Sequence, residues 1–545
     1  MAGQTLKSLI VIGLAAVTFS FIFLTTRSDF LVFTGLSLTL PLLLGTLFFG
    51  LLMGFYQFRE PKLGHSVLTY ILFGLLLFLF LITVAYSVIL FQFDTLDIGL
   101  ILSYLQSNTL GEAARFGIED MALIIVFHIA ILIVFSWAIF WLLKRNANMT
   151  FIMVLMVFSL IWESPYTKFA LHTFTASKIQ KAFDIDAHYK VPEIKTRPAK
   201  QKNLVIVFLE SLEASFAHIP FTAEAMKPLT DLADAHSNFS NIDQVSGLSI
   251  TIAGIVGSHC GVPFYPKIGT RTQAYVGKEL FGDDIDKLDD FYDGVWCLSD
   301  QLKADGYNLS YMNGASLNRF SKRNFFYKHG YDTVLGYEEF VARGEDFEIN
   351  RWGAEDRFLY DQVWNEFQRL ADDDAPFALT MLTIATHSPD GYLPKGCEPP
   401  IDSDQKFVRA IECSVEDALD LVSKIKAHPK GDDTVIVLMS DHLTHKTNKY
   451  NQLNTAEGFR RNYMTVIDQN GARSIPKLGT MLDVYPTLLE VLGYDLTDDR
   501  ANFGVSLFGS TPSLIEIYGK TTLSWIFERN AALSQFLWTK QAVQN

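Results

Sequence analysis

Asn203-Leu-Val-Ile-Val-Phe-Leu209-Glu210 is the stretch whose reading decides the fold. From Leu204 to Leu209 every residue is apolar and two are Val, so neither face of an extended chain is left for water. A strand of that kind belongs in a parallel sheet covered on both sides by helices. Four further runs share the pattern: Leu309-Ser-Tyr-Met312, Phe377-Ala-Leu-Thr-Met-Leu-Thr-Ile384, Thr434-Val-Ile-Val-Leu-Met439 and Tyr463-Met-Thr-Val-Ile467. Longer segments with helical spacing separate them. The five runs therefore read as buried parallel strands with helical crossovers, an α/β sheet.

The residues just past three of these strands point to chemistry. Leu209 is followed by Glu210, Ile384 by Ala-Thr-His387, and Met439 by Ser-Asp441-His442. In open parallel sheets ligands bind beyond the carboxyl ends of the strands. Carboxylates and imidazole converging there suit one divalent cation, Mn²⁺ or Zn²⁺. Ordinary capping of strand–helix turns is the alternative reading. Gly247-Leu-Ser249-Ile-Thr251-Ile-Ala-Gly opens a helix with small and hydroxylated residues, and free N–H groups at a helix start attract phosphate. A metal-bound Thr hydroxyl there would become an activated nucleophile, and a plain helix cap is the equally weighted alternative for Ser249 and Thr251.

Outward from the sheet, the composition changes character. Of 545 residues 49% are hydrophobic, with 44 Phe, and only 19% are charged, against roughly 25% in soluble proteins. A wholly soluble chain is not expected. The net charge of −14 gives no support for a nucleic-acid partner. Uncharged stretches run over 8–26, 30–58, 66–93, 121–143 and 146–162, each near the length of about 20 residues that crosses a bilayer. Lys7, Arg59, Lys62, Lys144 and Arg145 lie on one side of these spans, and Arg27 and Arg115 on the other. Basic residues favour the inside, which places everything after Trp162 outside. His128, within the fourth span, reads as an interhelical hydrogen-bonding group, and 98–105 as a helix at the outer interface. The expected organisation is a transmembrane domain of five helices over 1–162, a juxtamembrane linker over 163–202 with a basic end, an extracytoplasmic catalytic domain over 203–510, and a C-terminal helix over 511–545. The apolar segment 514–538 is expected either to pack on the catalytic domain or to dip into the membrane interface.

All four cysteines, Cys260, Cys297, Cys397 and Cys413, lie in the exported part. An even count there suggests two disulfides in an oxidising compartment. Of the three pairings, the sequential one is favoured, Cys260–Cys297 and Cys397–Cys413, because the second pair would staple a Pro/Asp/Gly-rich loop.

Asn203-Leu-Val-Ile-Val-Phe-Leu-Glu210-Ser-Leu-Glu, Thr251-Ile-Ala-Gly, Ser258-His-Cys-Gly, Lys328-His-Gly-Tyr-Asp, Trp352-Gly, Thr386-His-Ser-Pro-Asp-Gly and Ser440-Asp-His together resemble the phosphoglycerol transferase I family. That family is close to lipoteichoic acid synthase and shares the alkaline phosphatase/sulfatase-type fold. The resemblance implies a fold of five transmembrane helices plus an α/β alkaline phosphatase/sulfatase-like domain with a mainly parallel sheet. It implies a multi-pass protein of the bacterial inner membrane whose catalytic domain faces the periplasm. The activity implied is transfer of the phosphoglycerol head group of phosphatidylglycerol to a glycan acceptor. Phosphoethanolamine transfer and metal-dependent hydrolysis of a phosphodiester or sulfate ester are the alternatives.

Carried over residue by residue, the resemblance makes Glu210, Thr251, Asp441 and His442 the metal set, with Thr251 the catalytic nucleophile. It makes His387 a ligand of the substrate phosphate and Trp352 an element of the pocket edge. Lys322 falls where the related synthases place a phosphate-binding arginine, in competition with Arg319 and Arg323. Asn313 and His445 are further pocket candidates. Thr251-Ile-Ala-Gly-Ile departs from the Cys/Ser-x-Pro-x-Arg signature of a true sulfatase, and no second set of metal ligands can be placed, so one cation is expected.

Overall fold

The computed structural model describes residues 165–266, 290–387, 391–398, 406–444 and 460–540, together with Ile71, Leu75 and Phe78. Apart from these last three, the five uncharged stretches, His128 and the 98–105 segment lie outside the described residues, as does His445. Ile71, Leu75 and Phe78 are helical, share one face by their spacing, and are all exposed. Among the described residues no helix is long and apolar enough to cross a membrane. The chain divides into two compact units, and the one containing Ser177–Asn545 carries the sheet.

Its strands include β1 (Ile194–Thr196), β2 (Asn203–Leu209), β3 (Ser237–Phe239), β4 (Asn308–Asn313), β5 (Thr333–Leu335), β6 (Phe377–Leu382), β7 (Thr434–Ser440), β8 (Met464–Ile467), β9 (Arg473–Ile475) and β10 (Asp495–Leu496). Eight of them form one sheet in the order β5-β4-β6-β2-β7-β8-β3-β9. The first five of that order are mutually parallel, with β2 at the centre between β6 and β7. Every residue of β2, β6 and β7 is buried, as their apolar sequences require. Tyr463–Ile467 departs from the expectation of a parallel strand. β8 runs antiparallel to β7, with Ile436 opposite Ile467 and Met439 opposite Met464. A run buried on both faces carries no mark of its direction, which its connection decides.

Helices cover both faces. On one lie α2 (Ala223–Ala235), α4 (Asp356–Ala371) and α5 (Lys406–Ala427). Phe407, Ala410, Ile411, Ala418, Leu421, Val422 and Ile425 make one buried stripe of α5. That stripe shares a core with Val205, Val207 and Leu209 of β2, Met226 and Leu229 of α2, and Leu359 and Val363 of α4. On the other face lies α3 (Thr251–Cys260), whose His259 ring stacks 5.8 Å from Phe208 of β2. Behind α3 lies α6 (Val484–Val491).

Residues 163–202, read from sequence as a linker, contribute helix α1 (Pro165–Ala182) and strand β1, which pairs with β10. The C-terminal segment forms two helices rather than one, α7 (Leu514–Phe527) and α8 (Ala531–Thr539), and packs on the unit that carries the sheet. Leu523 and Leu537 are fully buried, Tyr265 donates through its hydroxyl to the Phe527 carbonyl, and Trp538 Nε1 donates to the Tyr265 carbonyl. Cys260 is bonded to Cys297 and Cys397 to Cys413, so no described cysteine is free.

Candidate active site

The carboxyl ends of the adjacent strands β2 and β7 deliver Glu210 and the pair Asp441-His442 to one place. All three side chains are buried. One ligand atom from each lies within 4.8 Å of the others. His442 Nε2 is 3.4 Å from Glu210 Oε1 and 3.3 Å from Asp441 Oδ2. Thr251, the first residue of α3, places its Oγ1 3.4 Å from Glu210 Oε2 and 3.5 Å from His442 Nε2. Ser249 makes no hydrogen bond to this group among the described residues. Ile250, the cap residue of α3, has no side-chain acceptor to offer, so the first-turn N–H groups have no capping side chain.

The orientation of each ligand is built in. Ser211, directly after Glu210, has φ +54°, a left-handed conformation uncommon for a residue with a Cβ. In that conformation its N–H donates to Asp441 Oδ1 at 2.8 Å and its hydroxyl to Glu210 Oε1 at 2.7 Å. The His442 N–H also donates to Asp441 Oδ1. His442 Nδ1 donates to the Leu443 carbonyl at 2.8 Å, which aims Nε2 at the two carboxylates. The buried Asp441 Oδ2 has no hydrogen-bond donor.

The electrostatics show what the group lacks. Burial, reinforced by the charge of Glu210, pushes the Asp441 carboxyl up to about 7. Burial acts on Glu210 in the same direction, but its hydrogen bond to His442 and the charges of His387 and His442 hold it well below the usual carboxylate range. His442 rises to about 9, because the two carboxylates outweigh its own burial. Two buried carboxylates thus compete for too little positive charge. A divalent cation fits this set: the undonated Asp441 Oδ2, a second carboxylate, a hydroxyl, and an imidazole whose Nε2 is already directed inward. Among the described residues a second group, Cys260, Cys297 and His329, has its sulfurs tied up in a disulfide.

A second tier of residues surrounds this group. The His387 ring lies against Trp352 with centroids 4.1 Å apart and the two planes tilted by 32°, and the Arg319 guanidinium lies over the Trp352 ring at 4.4 Å. Lys322 is 5% exposed, and its ammonium makes no hydrogen bond or ion pair with another described residue. Burial pushes its pKa down to about 8, Arg319 adds to that, and Glu338, Glu210 and Asp441 oppose it. Arg323 is not available to the pocket: it is ion-paired to Glu339, donates to Asn318 and lies 3.9 Å from Glu338. Asn313, at the carboxyl end of β4, is fully buried and donates to the Tyr311 hydroxyl, while its Oδ1 has no donor.

Sequence reasoning missed several supporting residues. Besides Ser211, the buried pair Glu213–Arg460 joins the segment after Glu210 to that after His442, because Arg460 also donates to the Thr444 carbonyl. The adjacency of Ser211 to Glu210 is the only local signal among these.

Residues 202–494 match the family model described as Sulfatase. The chain belongs to the sulfatase family. That match contains Glu210, Thr251, Asp441 and His442, the four residues of the candidate cation site. Phosphoglycerol transferase I from Shigella flexneri is 33% identical over 356 residues, covering 63% of this chain and 44% of that protein. The protein of the same name from Escherichia coli K12 matches to the same extent. The chain therefore spans less than half the length of these curated relatives. Among solved structures, the lipoteichoic acid synthase LtaP from Listeria monocytogenes is similar with a TM-score of 0.45 and 17% identity, covering 62% of this chain and 82% of that one.

Proposed function

We propose that this sulfatase-family protein is a membrane-tethered, metal-dependent phosphotransferase. It moves the phosphoglycerol head group of phosphatidylglycerol to an extracytoplasmic glycan by way of phosphoglycerol-Thr251. The observation that carries this reading is the Thr251 hydroxyl, set at a helix start within 3.4 Å of Glu210 Oε2 and 3.5 Å of His442 Nε2. The name of the relatives at 33% identity supports the donor. One Mn²⁺ or Zn²⁺ held by Glu210, Thr251, Asp441 and His442 would lower the pKa of the hydroxyl and offset charge on the phosphoryl oxygens.

Thr251 Oγ attacks phosphorus as the bond to the diacylglycerol oxygen breaks. The threonine proton is lost and the departing diacylglycerol oxygen gains one, so the exchange is balanced. Lys322 and His387 hold the phosphoryl oxygens, while Trp352 and Asn313 line the head-group pocket. A sugar hydroxyl then attacks the same phosphorus and Thr251 regains its proton. The five uncharged stretches of 1–162 supply the multi-pass inner-membrane anchor, and the exposed apolar face of Ile71, Leu75 and Phe78 is in keeping with it. Two disulfides suit a periplasmic catalytic domain over 203–510, with 163–202 and 511–545 flanking it.

Membranes containing the protein, supplied with Mn²⁺ and head-group-labelled phosphatidylglycerol, test this directly. Label in a glycan fraction with stoichiometric diacylglycerol is expected. Label delivered only from phosphatidylethanolamine would replace the donor. Soluble glycerol phosphate with no labelled glycan would overturn transfer in favour of hydrolysis.

A further inference from the structure

We propose that Asp356 is a positioning residue for His387, fixing the turn that carries this imidazole; the inference rests on the phosphate-holding role given to His387 above. Strand β6 ends at Leu382, so the sheet ladder provides no partners for the N–H groups of Ile384 and Ala385. Asp356 provides them. Its Oδ1 accepts from Ile384 at 2.9 Å, and its Oδ2 accepts from Ala385 at 2.8 Å and from Ile384 at 3.2 Å. The carboxylate is 2% exposed and lies 28 residues away in sequence from the nearer of the amides it grips.

The same short segment reaches His387 a second time. Trp352, four residues before Asp356, lies against the imidazole with ring centroids 4.1 Å apart. Between them Gly353 has φ +146°, and a Cβ there would fall 2.0 Å from the Gly314 carbonyl oxygen, so the segment is pressed against the end of β4. Glu355, the cap of α4, accepts from the N–H of Lys395 at 3.1 Å, on the far side of His387 in sequence. Residues 352–356 thus contact the ring of His387, the backbone before it and the backbone after it, all from the segment that leads into one 16-residue helix. Replacing Asp356 by an apolar residue leaves two buried N–H groups without acceptors, and the turn moves to find others. Asp356 touches no substrate in this scheme and acts through His387.

The test is a double-mutant cycle in the metal-loaded full-length protein. Asp356→Ala is expected to lower kcat/KM for the lipid donor about tenfold or more, chiefly through KM. The double variant with His387→Ala is expected to be no worse than His387→Ala alone, because both changes remove one function. Amide hydrogen exchange supplies an independent readout. Residues 384–387 should lose protection in Asp356→Ala while 377–382 of β6 keep theirs. Asp356→Asn, which retains one acceptor oxygen, should fall between wild type and Ala, and it decides the matter if the Ala variant does not fold. Multiplicative losses in the cycle, or unchanged protection of 384–387, would overturn the proposal and leave the proposed function standing. A His387→Ala protein with normal transfer would overturn the role of His387, and this inference with it.

Discussion

A Cβ built on Gly254 would fall 1.8 Å from the carbonyl oxygen of Asp441. Helix α3 therefore lies against the end of β7 with no space for any side chain at that point, and this contact sets the distance between Thr251 and the Asp441-His442 pair. Gly254→Ala should raise intrinsic helix propensity by about 1 kcal/mol, yet it must push α3 away from β7. The expected result is a lower Tm together with loss of transfer. A variant as stable and as active as wild type would show that the helix can slide without consequence.

Lys322 predicts a trade between stability and activity. The residue is 5% exposed, and burial lowers its pKa to about 8. Burying a charge without a partner is unfavourable to folding. Lys322→Met should accordingly raise Tm while increasing KM for the donor, if the positive charge serves the phosphate as proposed. Thermal unfolding and donor titration of the same preparation check both halves. A variant with lowered Tm and unchanged KM would mean that Lys322 serves packing instead.

How far the sequence reached can be judged from these residues. Runs of apolar residues identify β2, β4, β6, β7 and β8, because strands buried on both faces need them. The strands β3, β5 and β9 are three residues each and carry no such pattern. The grouping of Glu210 with Asp441 and His442 follows from their positions at strand ends, since β2 and β7 are neighbours. Thr251 and Ser249 are indistinguishable by pattern, and the start of α3 separates them. The removal of Arg323 from the pocket candidates depends on Glu339, a partner invisible to local spacing. Gly254 and Asp356 act on chain segments far away in sequence, so nothing beside them announces their roles.

The cation site makes a thermodynamic prediction. An ion that binds only the folded state stabilises it by about 2.7 kcal/mol at a hundredfold excess over Kd. Adding Mn²⁺ to chelator-treated protein should raise Tm in a concentration-dependent way. Asp441→Asn removes the charge of the carboxylate whose Oδ2 has no other donor, and should abolish most of that rise. An undiminished shift in Asp441→Asn would place the ion elsewhere.

His259, on the far end of the helix that carries Thr251, should make folding sensitive to acid. Burial lowers its pKa to about 4 from 6.5, outweighing its hydrogen bond to the Ile255 carbonyl. The unfolded chain then takes up a proton before the folded one does as pH falls below 6.5. Stability from this residue is complete above that value and declines toward pH 4, by ~3 kcal/mol in all. The stability advantage of wild type over His259→Gln should therefore shrink between pH 7 and pH 5, as followed by denaturant unfolding. An advantage constant across that range would mean that His259 titrates alike in both states.

The account turns on Thr251 as the nucleophile, and peptide mass spectrometry tests it most directly. Metal-loaded wild-type protein is incubated with phosphatidylglycerol and no acceptor, then quenched, digested and fragmented. The expected result is a glycerol phosphate adduct on Thr251 Oγ, absent from Thr251→Ala and retained in part in Thr251→Ser, whose hydroxyl survives. An adduct on Ser249, or an undiminished adduct in Thr251→Ala, would contradict the account.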